Sequence, residues 1–214
     1  SNLSFVKGQG AYLITKNGKK YLDFASGIAV NSLGHCNSEL IKVLHNQSKK
    51  IWHVSNAFQI LEQEDLAKKL VKLTFADKVF FCNSGAESVE AAIKIARAYK
   101  KKSRILFCGY HGWHDWYIAT NIGTEHNQKL NEHLLKGIDP AGVPSRLGGT
   151  TFPFRYGELQ ELEQIFDSAP EPLAAIVMEP TRSEDPAPDF LPSIRKLCNE
   201  HGVKLIFDEV SIGW

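Results

Sequence analysis

From Lys78 onward, short apolar runs alternate with stretches in which apolar residues recur at helical spacing. The apolar runs predict β-strands at residues 79–82, 105–108, 174–178 and 203–207. The helical spacing predicts α-helices at residues 86–100, 157–167 and 191–201. Because strands alternate with helices, we expect an α/β fold, with a mainly parallel sheet that helices cover on both faces.

The first third of the chain has a different pattern. Two β-rich runs, 11–15 and 20–24, flank Asn17-Gly18, a strong short-range signal for a β-hairpin. Apolar residues at helical spacing then predict packing helices over 38–48 and 61–73. We therefore expect a hairpin followed by helices before the parallel sheet begins.

A long polar segment rich in Gly and Pro lies between Asn121 and Thr151. Its pattern predicts at most one short helix, near residues 128–135. A segment of this length inside a compact domain is more often a functional loop than a simple connection.

Composition and charge exclude several classes of protein. The 214 residues carry 25 Lys+Arg against 24 Asp+Glu, so we expect no general attraction to nucleic acid or to anionic membranes. The apolar runs are far shorter than the roughly 20 residues that a membrane-spanning helix needs. Four scattered cysteines without a C-x-x-C pair do not indicate a disulfide scaffold. We therefore expect a soluble, cytoplasmic protein.

The first candidate motif follows the predicted strand at 79–82. Ser84 and Glu87 have the spacing of a capping box, so the helix should begin at Gly85. A helix N-terminus directly after a strand and a glycine turn favours anion binding, because free amides and the helix dipole point outward. Ser84 and the amides of Gly85 and Ala86 are therefore candidates to hold a phosphate. A capped helix without any ligand remains the simpler alternative.

The second candidate is aromatic and follows the predicted strand at 105–108, over residues 110–117. Such a cluster can form a flat wall for a planar cofactor or substrate, or it can be purely structural. His111 and His114 with Asp115 suggest a third possibility, the metal site of a hydrolase. No further ligand follows at convincing spacing, so we expect no metal.

The third candidate is a pair of carboxylates, Glu179 and Asp208, that follow two predicted strands. Burying a carboxylate is unfavourable unless it meets a cation or a proton donor. Asp208 is therefore a candidate partner for a protonated ring nitrogen, which it would keep protonated by charge pairing. An ordinary helix-capping or loop carboxylate is the alternative.

Taken in order, these segments resemble the class III aminotransferases of the ω- and acetylornithine type, which use pyridoxal 5'-phosphate. The resemblance covers essentially the whole chain, and several independent motifs agree in order and spacing. The matching segments are Leu22-Asp-Phe-Ala-Ser-Gly-Ile-Ala-Val30 with Leu33-Gly-His35, Asn83-Ser-Gly-Ala-Glu87 with Glu90-Ala-Ala-Ile-Lys94, Tyr110-His-Gly112, Met178-Glu-Pro180 and Phe207-Asp-Glu-Val210.

The resemblance implies fold type I of the pyridoxal-phosphate-dependent transferases. It assigns residues 1–55 to the N-terminal hairpin-and-helix segment of a small domain. It assigns residues 56–214 to the first part of the large cofactor-binding domain.

The resemblance also implies a set of cofactor-binding residues. Ser84, Gly85 and Ala86 would bind the phosphate, and Asp208 would pair with the ring nitrogen. The other implied contacts are Tyr110, which would stack on the ring, His111, and Val210, which would pack against the opposite ring face. Asp208 and Glu179 are the implied catalytic residues of this chain.

Substrate contacts are implied at Ser26, Asn56, Trp113 and Glu184. Glu184 matches a glutamate that in some members gates an arginine near the substrate. The segment from Ser26 to Val30 is similar to acetylornithine and ornithine aminotransferases, yet their carboxylate-binding arginine is Trp113 here. Residues 110–116 and 151–156 look more like the glutamate-1-semialdehyde aminomutase group and its relatives.

The implied function is transamination, or intramolecular amino transfer, between a small-molecule amino donor and acceptor in a homodimer. It proceeds through a lysine Schiff base, and the family's lysine lies beyond Trp214. We therefore expect the chain to be the N-terminal half of an enzyme and to be inactive by itself. The alternative is a non-catalytic fragment of the same fold that binds phosphate compounds or a protein partner.

Overall fold

The computed structural model describes residues 2–123, 138–168, 172–182 and 185–213. The chain forms two compact units, Ser1–Phe80 and Phe81–Trp214. The assignment of residues 56–80 to the large domain stays a prediction. The predicted helix near residues 128–135 and the predicted substrate residue Glu184 lie outside the described residues.

The first unit contains a three-stranded antiparallel sheet in the order β1-β2-β3. Its strands are β1 (Phe5–Gln9), β2 (Tyr12–Thr15) and β3 (Lys20–Leu22). The predicted hairpin is confirmed, because β2 pairs with β3 across the Asn17-Gly18 turn. Gly18 adopts φ +82°, a conformation that favours glycine. The sequence pattern missed β1, which is almost wholly exposed and therefore shows no apolar alternation.

The helices of the first unit are α1 (Ser26–Ala29), α2 (Ser38–Ser48) and α3 (Leu61–Leu73). The bounds of α2 and α3 are those predicted. The α1 segment is a single turn with left-handed backbone angles inside it. Asp23 holds this turn, since one carboxylate oxygen accepts the Ser26 amide at 2.9 Å and the other lies 2.7 Å from His35 Nε2.

The second unit has the α/β architecture that the sequence predicts. Its four strands are parallel and lie in the order β5-β4-β6-β7. They are β4 (Arg104–Cys108), β5 (Thr151–Pro153), β6 (Leu173–Met178) and β7 (Lys204–Phe207). The helices are α4 (Gly85–Lys100), α5 (Asp115–Ile118), α6 (Leu159–Ser168) and α7 (Phe190–Glu200). Single 3-10 turns occur at Ala119–Asn121 and Ser145–Leu147.

Alternating residues of β4 divide the core of the second unit into two layers. Ile105 and Phe107 pack in one cluster with α4 and α5, whereas Leu106 and Cys108 pack in the other with α6 and α7. Helices therefore cover both faces of the sheet, as predicted. Within the described part of the chain, no helix is both long and apolar enough to cross a membrane.

The predicted strand at residues 79–82 is wrong, because this segment forms no strand in the structure. A strand needs a neighbour to satisfy its backbone hydrogen bonds, and the described sheets pair none with this segment. Phe80 is 74% exposed. The segment is an irregular connection that leads to α4.

Candidate active site

The carboxyl ends of the parallel strands meet at one edge of the sheet in the second unit. Cys108, Met178 and Phe207 end β4, β6 and β7 at this edge. The amide of Asp208 donates to the Met178 carbonyl at 2.8 Å, which extends the β6–β7 pairing by one residue. The predicted motifs that follow these strands are therefore neighbours in space.

The N-terminus of α4 has the predicted capping box. The Ser84 hydroxyl accepts the Glu87 amide at 3.2 Å, and the Glu87 carboxylate accepts the Asn83 amide at 2.7 Å. The helix begins at Gly85, as expected. Among the described residues, the amides of Gly85 and Ala86 have no hydrogen-bond partner. Two free amides at the positive end of a helix dipole can accommodate an anion.

The first turn of α4 contacts two of the other predicted motifs. A Cβ atom placed on Gly85 would lie 2.7 Å from Cγ2 of Val210, and one placed on Gly112 would lie 2.7 Å from Cβ of Ala86. Gly112 also adopts φ +99°, where other residues are strained. The structure therefore brings residues 84–86, 110–112 and 208–210 to one place.

Within this site, His111 and Asp208 form a buried pair. His111 Nδ1 lies 2.9 Å from Oδ2 of Asp208, and the two side chains are 0% and 9% exposed. His111 Nε2 donates to the Cys108 carbonyl at 2.9 Å. Because a carbonyl only accepts, Nε2 carries a hydrogen, and a hydrogen bond between Nδ1 and Oδ2 needs a second proton shared by the pair. Oδ1 of Asp208 accepts the Val210 amide at 3.1 Å.

Aromatic residues surround His111 but differ in exposure. Trp116 is stacked with His111 at an interplanar angle of 22°, and Phe107 meets the imidazole edge-on. Trp116 and Tyr117 are core residues, so the structural interpretation of the aromatic cluster applies to them. Tyr110 is 39% exposed and Trp113 is 72% exposed. Within residues 110–117, these two are the tyrosine and tryptophan side chains that solvent reaches.

The geometry does not support the metal-hydrolase hypothesis. Both ring nitrogens of His111 are engaged, one with Asp208 and one with the Cys108 carbonyl. No group of at least three His, Cys, Asp or Glu side chains that could hold a metal occurs among the residues described.

Glu179 pairs with Arg182 beside the site, with Arg182 Nε 3.3 Å from Glu179 Oε2. Burial raises the pKa of Glu179, and the guanidinium of Arg182 opposes that shift. Oε2 lies 2.7 Å from the position of a Cβ atom on Gly109, so the carboxylate packs against the backbone that precedes Tyr110. The same Cβ position on Gly109 lies 3.5 Å from Nε2 of His111, so Glu179 is close to the His111–Asp208 pair.

Two contributors to the site were not predicted. Arg182 carried a weak signal, an opposite charge three residues after Glu179. The carbonyl of Cys108 carried none, since any residue at position 108 supplies that oxygen. The thiol of Cys108 points into the core, where burial raises its pKa to about 11.

The predicted substrate residues are distributed over both units of the chain and the segments outside the described residues. Ser26 and Asn56 lie in the first unit, where the Ser26 amide bonds Asp23 and Asn56 is exposed. Trp113 lies in the second unit, and Glu184 is outside the described residues. Their substrate roles stay predictions.

Comparison with known proteins gives a match to one family over the whole chain. The family model described as aminotransferase class-III matches residues 1–214. An acetylornithine aminotransferase of Agrobacterium fabrum (strain C58 / ATCC 33970) is 42% identical over 222 residues, covering 99% of this chain and 52% of that protein. The chain thus spans about half the length of the curated relatives it matches.

Solved structures share the fold. An omega-transaminase from Sphaerobacter thermophilus has a TM-score of 0.82 and 25% identity, over 97% of this chain and 48% of that one. A taurine:2-oxoglutarate aminotransferase from Bifidobacterium kashiwanohense, in complex with PLP and glutamate, has a TM-score of 0.78 and 25% identity, over 99% and 51%. The expected fold is confirmed.

Proposed function

Because the chain belongs to the class-III aminotransferases, we propose that it forms the cofactor-binding part of an enzyme that transfers an amino group by means of pyridoxal 5'-phosphate. The complete protein would act on a small-molecule amino donor and acceptor. The bound PLP in the structure of a similar aminotransferase supports this choice of cofactor.

The residues of the second unit fit this cofactor. The free amides of Gly85 and Ala86 suit a phosphate group, and Ser84 is the N-cap residue directly before them. Val210 occupies the space that a side chain at position 85 would need, so a glycine at this position lets Val210 pack against the first turn of α4. Bound there, the cofactor supplies an electron sink for the substrate carbon.

One observation carries the proposal, the contact between His111 and Asp208. A buried carboxylate at a strand end needs a proton donor or a cation, and His111 provides one at Oδ2. Among the described residues, Oδ1 has only the 3.1 Å contact with the Val210 amide, so it has capacity for a second donor. A protonated pyridine nitrogen is a donor of that kind.

The chain's own groups therefore have distinct tasks. His111 orients Asp208 through the contact between Nδ1 and Oδ2, and the negative charge of the carboxylate would favour a protonated ring nitrogen beside it. The exposed ring of Tyr110 is positioned by an edge contact with Tyr117, with centroids 5.7 Å apart. Tyr110 would stack on one face of the cofactor and Val210 would pack on the other.

Glu179 is assigned an organising role rather than direct proton transfer. Its carboxylate packs under residue 109 and pairs with Arg182, so it supports the turn that presents Tyr110 and His111.

The alternative of a non-catalytic fragment that binds phosphate compounds or a protein partner is not favoured. Phosphate binding would need only the N-terminus of α4. It would not require a buried carboxylate at the end of β7 that a histidine orients, two positions before the Val210 side chain that packs against the same helix.

We further propose that the complete protein is a cytoplasmic homodimer. Large exposed apolar side chains in the first unit, such as Phe24, Trp52 and Phe75, support a covering partner surface. The four free cysteines support a reducing compartment.

The experiment that tests the proposal uses the complete protein. Purified enzyme should carry pyridoxal phosphate, and borohydride reduction should leave the cofactor covalently attached to one lysine, detected by mass spectrometry. A preparation that takes up no pyridoxal phosphate and yields no lysine adduct would contradict the proposal.

A further inference from the structure

Trp116 lies against one face of the His111 ring in the interior of the second unit. The two rings are stacked, with an interplanar angle of 22° and centroids 6.4 Å apart. Phe107 meets both rings edge-on, at 85° to the imidazole and 88° to the indole. The side chain of His111 is 0% exposed, and Trp116 is 3% exposed. The imidazole is therefore held in a buried corner that an indole and a phenyl ring form.

Filling space in the core does not by itself account for an indole at position 116. A buried tryptophan usually has a hydrogen-bond acceptor for its N–H group. Among the described residues, Nε1 of Trp116 has none. A wholly apolar side chain would occupy the core without this unmet donor, which is unfavourable to bury. The property that sets the indole apart is its wide flat face, which lies nearly parallel to the imidazole of His111.

His111 depends on the orientation of its ring, because its two nitrogens bond to different parts of the fold. Nδ1 reaches Oδ2 of Asp208 after β7, and Nε2 reaches the carbonyl of Cys108 at the end of β4, each at 2.9 Å. Both bonds lie in the plane of the imidazole, so rotation of the ring about its Cβ–Cγ bond would break both. The indole face opposes this rotation. It also excludes water from the pair, and a hydrogen bond is stronger where water is excluded.

We propose that Trp116 is a positioning residue of the site: it holds the His111 ring so that Nδ1 stays on Asp208, and it thereby sets how firmly Asp208 binds the cofactor's ring nitrogen. The inference rests on the proposed function and adds a residue to it. Trp116 acts through His111, because an indole that is 3% exposed is out of reach of a ligand in the site.

The proton shared by Nδ1 of His111 and Oδ2 of Asp208 gives a readout that needs no turnover. In the complete protein with isotopically labelled histidine, NMR measures how fast this proton exchanges with water. Its signal is assigned by its absence from His111→Gln. We expect slow exchange in the wild type, several-fold faster exchange in Trp116→Phe, whose ring is narrower, and no protected signal in Trp116→Leu.

A double-mutant cycle tests whether Trp116 acts through His111. Trp116→Leu alone should raise the dissociation constant of pyridoxal phosphate by roughly 3- to 10-fold, the loss expected when one buried hydrogen bond weakens. In a His111→Gln background, the same substitution should change this constant by less than about 2-fold, because no ring remains for the indole to hold.

Phe166→Leu is the matched control for a loss of core packing. Phe166 is 8% exposed and lies in the other layer of the core, where its described ring contact is with His201. This variant should unfold at a lower urea concentration, but it should change neither the exchange of the His111 proton nor the affinity for the cofactor. Should Trp116→Leu not fold, the same measurements on Trp116→Phe decide the question.

Equally slow exchange in the wild type and in the Trp116 variants would overturn the inference. Equal effects of Trp116→Leu on cofactor affinity in the wild-type and His111→Gln backgrounds would also overturn it, as would faster exchange in Phe166→Leu. If the complete protein binds no pyridoxal phosphate, the proposed function fails, whereas the exchange rates still decide the role of Trp116.

Discussion

The Nδ1 atom of His111 lies 2.9 Å from Oδ2 of Asp208, although the two residues are 97 positions apart in the chain. This contact joins the loop after β4 to the segment after β7. It gives the buried carboxylate a proton donor, and the opposite oxygen, which accepts the Val210 amide, has capacity for one more donor. The cofactor hypothesis depends on this arrangement, so the first prediction concerns it.

Replacing His111 by Leu should lower the free energy of unfolding of the complete protein by about 2–3 kcal/mol, because Asp208 loses its donor inside the protein. His111→Gln keeps a side-chain donor and should cost less than half as much. Urea titrations measure both values. Equal small losses for the two variants would mean that the His111–Asp208 contact does not hold the carboxylate.

Gly85→Ala should weaken cofactor binding, because its Cβ would lie 2.7 Å from Cγ2 of Val210 and would displace the first turn of α4. The expected loss of binding free energy is about 1–3 kcal/mol, the usual range for overpacking. The dissociation constant of pyridoxal phosphate measures it.

Gly85→Ala should cost less cofactor affinity in a Val210→Ala background than in the wild type, because the shorter side chain at position 210 removes the clash. If Gly85→Ala costs the same binding free energy in both backgrounds, the space between these two residues does not control cofactor binding.

Ser84→Ala should remove the cap that accepts the Glu87 amide and should lower stability by about 1 kcal/mol. Cofactor affinity should fall as well, because the same turn presents the Gly85 and Ala86 amides. Thermal unfolding with and without pyridoxal phosphate measures both effects. Glu87→Gln preserves a capping-box acceptor and is the matched control; a loss equal to that of Ser84→Ala would argue against the cap.

The cysteines should differ sharply in reactivity. Burial raises the pKa of Cys108 and of Cys198 to about 11, so little thiolate forms at about pH 8. The exposed Cys36 should react first with a thiol reagent in the native protein, and Cys36→Ser should remove that fast phase. Unfolding in urea should make all the cysteines reactive. Fast native labelling of Cys108 would contradict the described core.

Much of the second unit could be predicted from the sequence because its apolar runs are buried on both faces. β6 is buried along its whole length, and α4 begins where its capping box predicts. β5 escaped prediction because it has only three residues, and β1 escaped it because it is almost wholly exposed and lacks apolar alternation. The apolar run at 79–82 led to a wrong strand prediction, because an apolar sequence forms a strand only where a neighbouring strand can pair with it.

The site was predictable where side-chain chemistry is local. Ser84, Gly85 and Ala86 follow from the capping box, and Asp208 follows from a carboxylate placed at a strand end. The partner of Asp208 depends on how β4 and β7 are arranged around β6, which no local pattern reports. The Cys108 carbonyl is a backbone atom, and sequence patterns carry no information about its bond to His111.

The protonation state of the cofactor's ring nitrogen tests the central claim most directly. In the complete protein loaded with pyridoxal phosphate that is isotopically labelled at this nitrogen, its NMR chemical shift should report a protonated ring. Asp208→Asn should give the shift of an unprotonated nitrogen, whereas Glu209→Gln, which changes the exposed neighbouring carboxylate, should match the wild type. The same chemical shift in wild type and Asp208→Asn would contradict the pairing of Asp208 with the cofactor.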